Sequence, residues 1–307
     1  MMQILRHFPE HAEVPCALAI GNFDGVHIGH QAILKQLTKT AKALGMMSSV
    51  LTFEPHPREF FKPEAAPVRL ASMREKLELF AKYGVERAIV CQFDGDFAAM
   101  SADNFIEDIL RKSLDARLIL VGEDFRFGAH RMGNVQSLRD AGCQVENLPD
   151  VEIEGVRVSS TAVRQALATG DLAQAKRLLG RDYSISGHVV HGDKVGRQLG
   201  YPTANVQMHH DKPPLTGIYA VKLAGLENKD LPGVASLGFR PTVKNNGKPT
   251  LEVHLFDFEG DLYGHHVQVK FLQKIRDEEK FPDLETLKRQ IALDEQAARQ
   301  YFLNEPI

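Results

Sequence analysis

Residues 14–30 read VPCALAIGNFDGVHIGH, and the break at Gly21 decides the fold. The apolar run from Val14 to Ile20 is too short for a buried helix and reads as a buried strand. From 29 to 44, Ile33, Leu34, Leu37 and Ala41 recur at helical spacing. A strand that turns within a few residues into a helix is the opening unit of an open α/β sheet, and such sheets bind ligands at the carboxyl ends of their strands. Gly21, Gly25 and Gly29 suit tight turns and the close approach of a phosphate to backbone N–H groups. His27 and His30, three apart, face one side of a helical turn and can donate to phosphoryl oxygens. The spacing is neither GxGxxG nor GxxxxGK[ST], so no dinucleotide fingerprint or P-loop is met. Two histidines without a third ligand are a weak case for zinc.

Outward from this stretch the alternation repeats. Met47–Phe53, Arg87–Cys91, Ala116–Val121 and 143–148 read as strands, separated by helical patterns near 72–83, 103–112 and 132–142. This predicts a Rossmann-like parallel sheet covered on both faces. Helices follow near 161–169 and 171–179, the second capped by Asp171. From Tyr183 the texture changes to short β-rich runs, 184–191, 217–223, 232–238, 249–256 and 266–272, broken by Gly, Pro and Asp. They predict a small antiparallel β-barrel, closed by a terminal helix over 283–303. The expected domains are 1–182 and 183–307.

Composition agrees with two soluble domains: 307 residues, 43% apolar, 25% charged and a formal charge of -3. Nothing basic enough for a polynucleotide partner stands out. The N-terminal MMQILRHFPEHAEV is too polar for a signal peptide, and no 18-residue apolar run predicts a membrane span. Three cysteines, Cys16, Cys91 and Cys143, form no CxxC pair and are expected near strands as small hydrophobes in a reducing, cytoplasmic setting.

Four further stretches carry chemistry. TFEPHPREFF (52–61) follows the second strand. It offers His56 and Arg58 for anions and Phe60 or Phe61 for an apolar ring, or it is simply a rigid aromatic loop. VGEDFRFGAHRMGN (121–134) follows the fourth strand with Asp124, Phe125, Phe127 and Arg131; the phenylalanines suit a flavin-sized ring or a core equally. VSSTAVRQAL (158–167) sets Ser159, Ser160 and Thr161 before a helix, as a cap or an anion nest, with Arg164 placed to fork a phosphate. HGDKVGRQLGYPTANV (191–206) combines Gly192, Lys194 and Arg197 with Thr203 and Asn205, whose oxygens suit Mg²⁺ and ATP phosphates.

The HIGH of GNFDGVHIGH, residues 27–30, resembles the HxGH signature of the nucleotidyltransferases. The longer motif, with GYPTAN and GVASLGFRPTV (233–243), resembles the bacterial bifunctional riboflavin kinase/FAD synthetase family over about residues 14–303. That resemblance implies an N-terminal FMN adenylyltransferase and a C-terminal riboflavin kinase, with ATP, riboflavin and FMN as substrates and Mg²⁺ as cofactor. It implies that His27, His30, Ser159, Ser160, Thr161 and Arg164 serve the triphosphate, and that Gly21, Asn22, Phe23 and Asp24 shape the nucleotide site. Asp124, Phe125 and Arg131 would line the flavin side, and His56 would reach an anionic group of the ligand. In the barrel it makes Thr203 and Asn205 the phosphate and metal ligands, Glu252 the general base, and Arg276 with Phe281 part of a flavin-side segment. Val195 stands where many members carry a basic residue. The expected partners are small molecules alone, with no nucleic acid or membrane, on a monomer or weak homo-oligomer. Other readings of the residues are a different HxGH nucleotidyltransferase and a non-catalytic flavin-binding protein.

Overall fold

The computed structural model describes residues 1–147, 149, 151–192, 200–209, 212–226, 229–239 and 247–304. They divide into two compact units, Met1–Pro67 with Met73–Ser159, and Val68–Ser72 with Ser160–Ile307. Lys194, Val195, Gly196, Arg197, His210 and the 240–243 end of the GFRPTV motif lie outside the described residues.

The first unit holds β1 (Gln3–Leu5), β2 (Cys16–Ile20), β3 (Met47–Glu54), β4 (Arg87–Gln92), β5 (Ala116–Val121), the two-residue pair β6 (Arg126–Phe127) and β7 (Gly133–Asn134), β8 (Gln144–Asn147), and the hairpin β9 (Glu152–Ile153) with β10 (Val156–Arg157). Six of these form a parallel sheet in the order β1-β4-β3-β2-β5-β8. Its helices are α1 (Ile28–Leu44), α2 (Pro57–Phe61), α3 (Met73–Lys82), α4 (Gly95–Ala99), α5 (Ala102–Asn104, running on as a π-helix over Phe105–Ser113) and α6 (Val135–Asp140).

Strand β2 shows why the quoted stretch folds as it does. Its side chains alternate between two cores. Leu18 and Ile20 join Leu51, Ile89, Leu110, Ile119 and Phe127 on one face. Ala17 and Ala19 face Leu34, Leu37 and Ala41 of α1 on the other, with Phe80 and Leu120. The small alanines let α1 lie close on the sheet, and Gly45 ends that helix in a left-handed conformation at φ 64°.

The second unit begins with α7 (Ser160–Thr169) and α8 (Leu172–Leu179), the latter capped by Asp171 as expected. The barrel follows: β11 (Tyr183–Val190), β12 (Ala204–Met208), β13 (Gly217–Ala224), β14 (Leu231–Phe239), β15 (Pro249–Leu255) and β16 (His266–Arg276), closed in the order β11-β12-β15-β14-β13-β16 and antiparallel throughout. Tyr219 and Phe271 meet edge to face inside it, with centroids 5.3 Å apart. Helix α9 (Leu284–Asn304) lies outside, packing Ala298, Tyr301 and Phe302 on Ile218, Ala220, Val234 and Phe256.

Several expected elements need correction. β1 is a three-residue edge strand without any hydrophobic period to announce it. The helix expected over 132–142 starts only at Val135, because Gly133–Asn134 is taken by pairing with β6 and Asn134 caps the helix through Ser137. The loop expected over 191–206 already becomes strand at Ala204. The last barrel strand runs to Arg276, not 272.

Candidate active sites

β2 lies between β3 and β5, with the chain moving outward on either side, so its carboxyl end is the switch point of the sheet. The backbone that leaves it is held in a costly shape: Phe23 and Val26 sit at φ 49° and 41°, in the left-handed region, beside Gly25 at 76°. Tertiary contacts compel that shape. Phe23 is 2% exposed and packs edge-on against Phe80 at 5.4 Å. The Asn22 carbonyl accepts from Thr52 Oγ1 at 3.2 Å and from Lys76 Nζ at 3.4 Å, and Val26 O accepts from Gln31 Nε2 at 2.9 Å. A Cβ at Gly29 would crowd the His27 ring at 3.2 Å.

His27 caps α1: its Nδ1 accepts the His30 backbone N–H at 3.3 Å, which leaves Nε2 as the donor of a neutral ring. The His27 and His30 rings stack with centroids 3.7 Å apart. Burial, then the facing His27, then the Lys76 ammonium hold His30 well below the usual imidazole range, so it is neutral at physiological pH. Among the described residues, His30 Nδ1 and Asn22 Oδ1 are buried with no protein partner, two polar atoms that a ligand or water would satisfy. Asp24 is buried in the same loop.

The other loops of this unit leave the same sheet. His56 caps α2 through Nδ1 to the Arg58 N–H at 3.0 Å, and Glu59 closes the capping box. Phe60 and Phe61 stay exposed at the end of a chain of rings through Phe93, Phe53 and Phe97 to Phe105. Phe125 and Phe127 stack at 5.6 Å; Phe127 is core, while Phe125 is only partly buried. Asp124 and Arg131 are exposed, Arg131 at φ 60°. The chain entering Ser159 passes α1: the Val158 carbonyl is 3.9 Å from where a Gly29 Cβ would sit.

In the second unit, Ser160 opens α7, Thr161 follows, and Arg164 Nε donates to the Val68 carbonyl at 2.6 Å. In the barrel, β12 and β15 bring Asn205 and Glu252 onto one outer face. Asn205 and Glu252 are direct partners across β12 and β15, so their side chains share a side. Thr203 Oγ1 lies 3.4 Å from Glu252 Oε2. Gly192 completes the cradle, because a Cβ there would overlap the Asn205 amide. Arg276 is held by Asp294 on α9, with Nε and Nη2 donating to its two oxygens at 2.8 and 2.7 Å, and its guanidinium lies 5.5 Å from the Phe281 ring.

Three participants escaped the sequence reading. Lys76, 6% exposed, stands on the apolar stripe of α3 with Met73 and Phe80. His254, two residues beyond Glu252 on the same face, meets the Pro202 carbonyl through Nδ1 at 2.9 Å and so ties the PTAN turn to β15. Asp294 stands on the stripe of α9 with Leu287, Ile291 and Ala298. A charged residue at an inward helical position was the available signal in both helices.

A phosphate-ready switch point on a parallel sheet, followed by a barrel with a hydroxyl, an amide and a carboxylate on one face, defines a chain of two nucleotide-using transferases. A family model described as FAD synthetase matches residues 10–162, and one described as riboflavin kinase matches 179–302. The chain belongs to the bifunctional riboflavin kinase/FMN adenylyltransferase family. It is 47% identical over 308 residues to the member of that name from Escherichia coli (strain K12), covering 98% of each chain. It is 48% identical over 306 residues to that from Pseudomonas fluorescens, covering 97% of each. Among solved structures, a crystal structure described as a macrolide-efflux protein from Streptococcus pneumoniae superposes with a TM-score of 0.81 at 29% identity, covering 97% of this chain and 99% of that one. Among the described residues no helix is long and apolar enough to cross a membrane.

Proposed function

We propose that the chain phosphorylates riboflavin to FMN in the barrel and adenylylates FMN to FAD in the α/β unit, using ATP in both steps and releasing pyrophosphate in the second. The observation that carries the reading is the presence on one chain of the HxGH loop at the switch point and the Thr203–Asn205–Glu252 face on the barrel. The functional boundary is drawn at 182/183, where the barrel begins; the FAD synthetase match ends at 162 and the riboflavin kinase match begins at 179.

In the α/β unit the FMN phosphate attacks the α-phosphorus of ATP, and pyrophosphate leaves. The attacking oxygen is already anionic, so the protein needs to place and neutralise charge and supplies no nucleophile. His27 and neutral His30 donate to phosphate oxygens, and the family resemblance adds Ser159, Ser160, Thr161 and Arg164 as residues that serve the triphosphate. Gly21, Asn22, Phe23 and Asp24 shape the nucleotide pocket. Asp124, Phe125 and Arg131 serve the flavin side, and His56 serves an anionic group of the ligand. The strained loop supports this, since Phe23, Gly25 and Val26 hold the left-handed backbone that brings the loop round to α1.

In the barrel Glu252 takes the proton of the riboflavin 5′-hydroxyl as that oxygen attacks the γ-phosphorus of ATP, and ADP leaves. Gly192, Lys194 and Arg197 serve the phosphates, and Arg276 belongs to the flavin side. Thr203 and Asn205 present hard oxygen donors in a cradle opened by Gly192, a set that fits Mg²⁺. When bound, Mg²⁺ offsets phosphate charge. The three free cysteines suit a reducing, cytoplasmic setting, and the ligands are small molecules with no nucleic acid. The chain works as a monomer or weak homo-oligomer.

The test is a chromatographic time course of riboflavin, FMN and FAD with ATP and Mg²⁺. FMN should rise and then feed FAD. A chain that makes neither from riboflavin, and no FAD from added FMN, would rule the reading out.

A further inference from the structure

Asp294 occupies a position where a helix ordinarily places an apolar residue. It is 4% exposed, on the stripe of α9 that faces the barrel. Its carboxylate takes both arms of the Arg276 fork and a third hydrogen bond, from Gln290 Nε2 at 3.0 Å. Burying such a pair costs desolvation, and a packed apolar pair would hold a helix to a barrel at least as firmly. A planar fork differs in what it adds: it sets the direction of the chain leaving Arg276. Arg276 is the last residue of β16, and its Nη1 also donates to the Asp277 carbonyl at 2.9 Å.

The segment so directed borders the kinase face. Ser236 Oγ lies 3.4 Å from the Glu278 carboxylate, and a Cβ on Gly238 would overlap that carboxylate. Ser236 is the direct partner of Glu252 across β14 and β15. In the strand order β12-β15-β14, Glu252 therefore stands between two flanks. The β12 flank carries Thr203 and Asn205, the residues suited to ATP and Mg²⁺. The alcohol that Glu252 deprotonates must approach from another side, and the β14 flank is bordered, among the described residues, by Glu278.

We propose that Asp294 is a positioning residue for the kinase reaction: through Arg276 it holds residues 277–281 as the riboflavin-side wall beside Glu252. The proposal rests on the kinase reading of the barrel. The experiment is steady-state kinetics of FMN formation by the full-length chain and its Asp294→Asn and Gln290→Leu variants, with riboflavin and ATP varied in turn. Losing one arm of a charge-assisted pair should raise KM for riboflavin on the order of tenfold. KM for ATP, kcat and FAD formation from added FMN should stay near wild type, and Asp294→Glu should recover part of the loss. Gln290→Leu removes only the third hydrogen bond to that carboxylate, should raise the riboflavin KM in the same direction by less, and serves if Asp294→Asn does not fold. An unchanged riboflavin KM overturns the proposal. So does a joint loss of kcat and both KM values, which marks a staple for the barrel as a whole. A wild-type chain that forms no FMN overturns the kinase reading and this proposal with it, whereas a competent wild type beside unaffected variants overturns the proposal alone.

Discussion

The His27 and His30 imidazoles lie face to face, centroids 3.7 Å apart and 18° from parallel, with His27 also capping the helix that carries His30. Two rings this close cannot both be charged cheaply, and burial settles the matter for His30, which stays neutral. In the proposed reaction the pair would therefore serve phosphate as neutral N–H donors, and the positive charge would come from lysine and arginine.

The first prediction concerns that pair. His30→Ala should lower FAD formation from FMN by roughly 10²–10³-fold, the usual cost of one transition-state donor. FMN formation from riboflavin should be unchanged. Assaying the two half-reactions separately on one preparation checks it, and equal loss of both would point to misfolding.

His30 also predicts how stability depends on pH. Its folded pKa lies below its ordinary value of 6.5, so on acidification the unfolded chain takes up the proton first. The contribution is present above about pH 6.5 and is lost as pH falls from there toward the depressed folded value. Thermal midpoints measured from pH 8 downward should decline below that point, and His30→Gln should flatten the decline.

Lys76 is the third cause of that depression and a donor to the Asn22 carbonyl. Lys76→Met should raise the His30 pKa, readable from its imidazole NMR shifts, and slow FAD formation. A His30 pKa that stays put or falls further would contradict the geometry.

Glu252→Gln should lower FMN formation by about 10²–10⁴-fold, the range for a general base. Conversion of added FMN to FAD should continue. Retention of FMN synthesis would remove Glu252 from the chemistry.

Gly192→Ala should act through Asn205, whose amide would be displaced by the new methyl. KM for ATP in the kinase reaction should rise on the order of tenfold, equivalent to about 1.4 kcal/mol. KM for riboflavin should move little.

The legible part of the fold was the local part. The CALAI strand, the helix that follows it and the Asp171 cap follow from period and capping chemistry, and each was readable in place. Elements with no period of their own were not. β1 exists because β4 supplies a parallel edge, and β12 because β11 and β15 supply partners on both sides. The phenylalanines of the FRFG loop were ambiguous for a similar reason. Phe127 is core because Phe105 on the π-helix reaches it at 5.2 Å, and nothing near residue 127 announces that neighbour.

The sequence by itself determined the chemistry on offer: glycine-rich turns with two histidines, a Thr-Ala-Asn turn, a strand glutamate, and the change from alternating to all-β texture near Tyr183. Only the tertiary structure decided which groups meet and what state they hold. Thr203 and Glu252 are 49 residues apart and come within 3.4 Å because β12 pairs with β15. His30 is neutral because burial and two neighbours make its charged form unfavourable. Arg276 is committed to Asp294 because α9 lies against the barrel there. Residue type is a local property, whereas desolvation and proximity are properties of the packed chain.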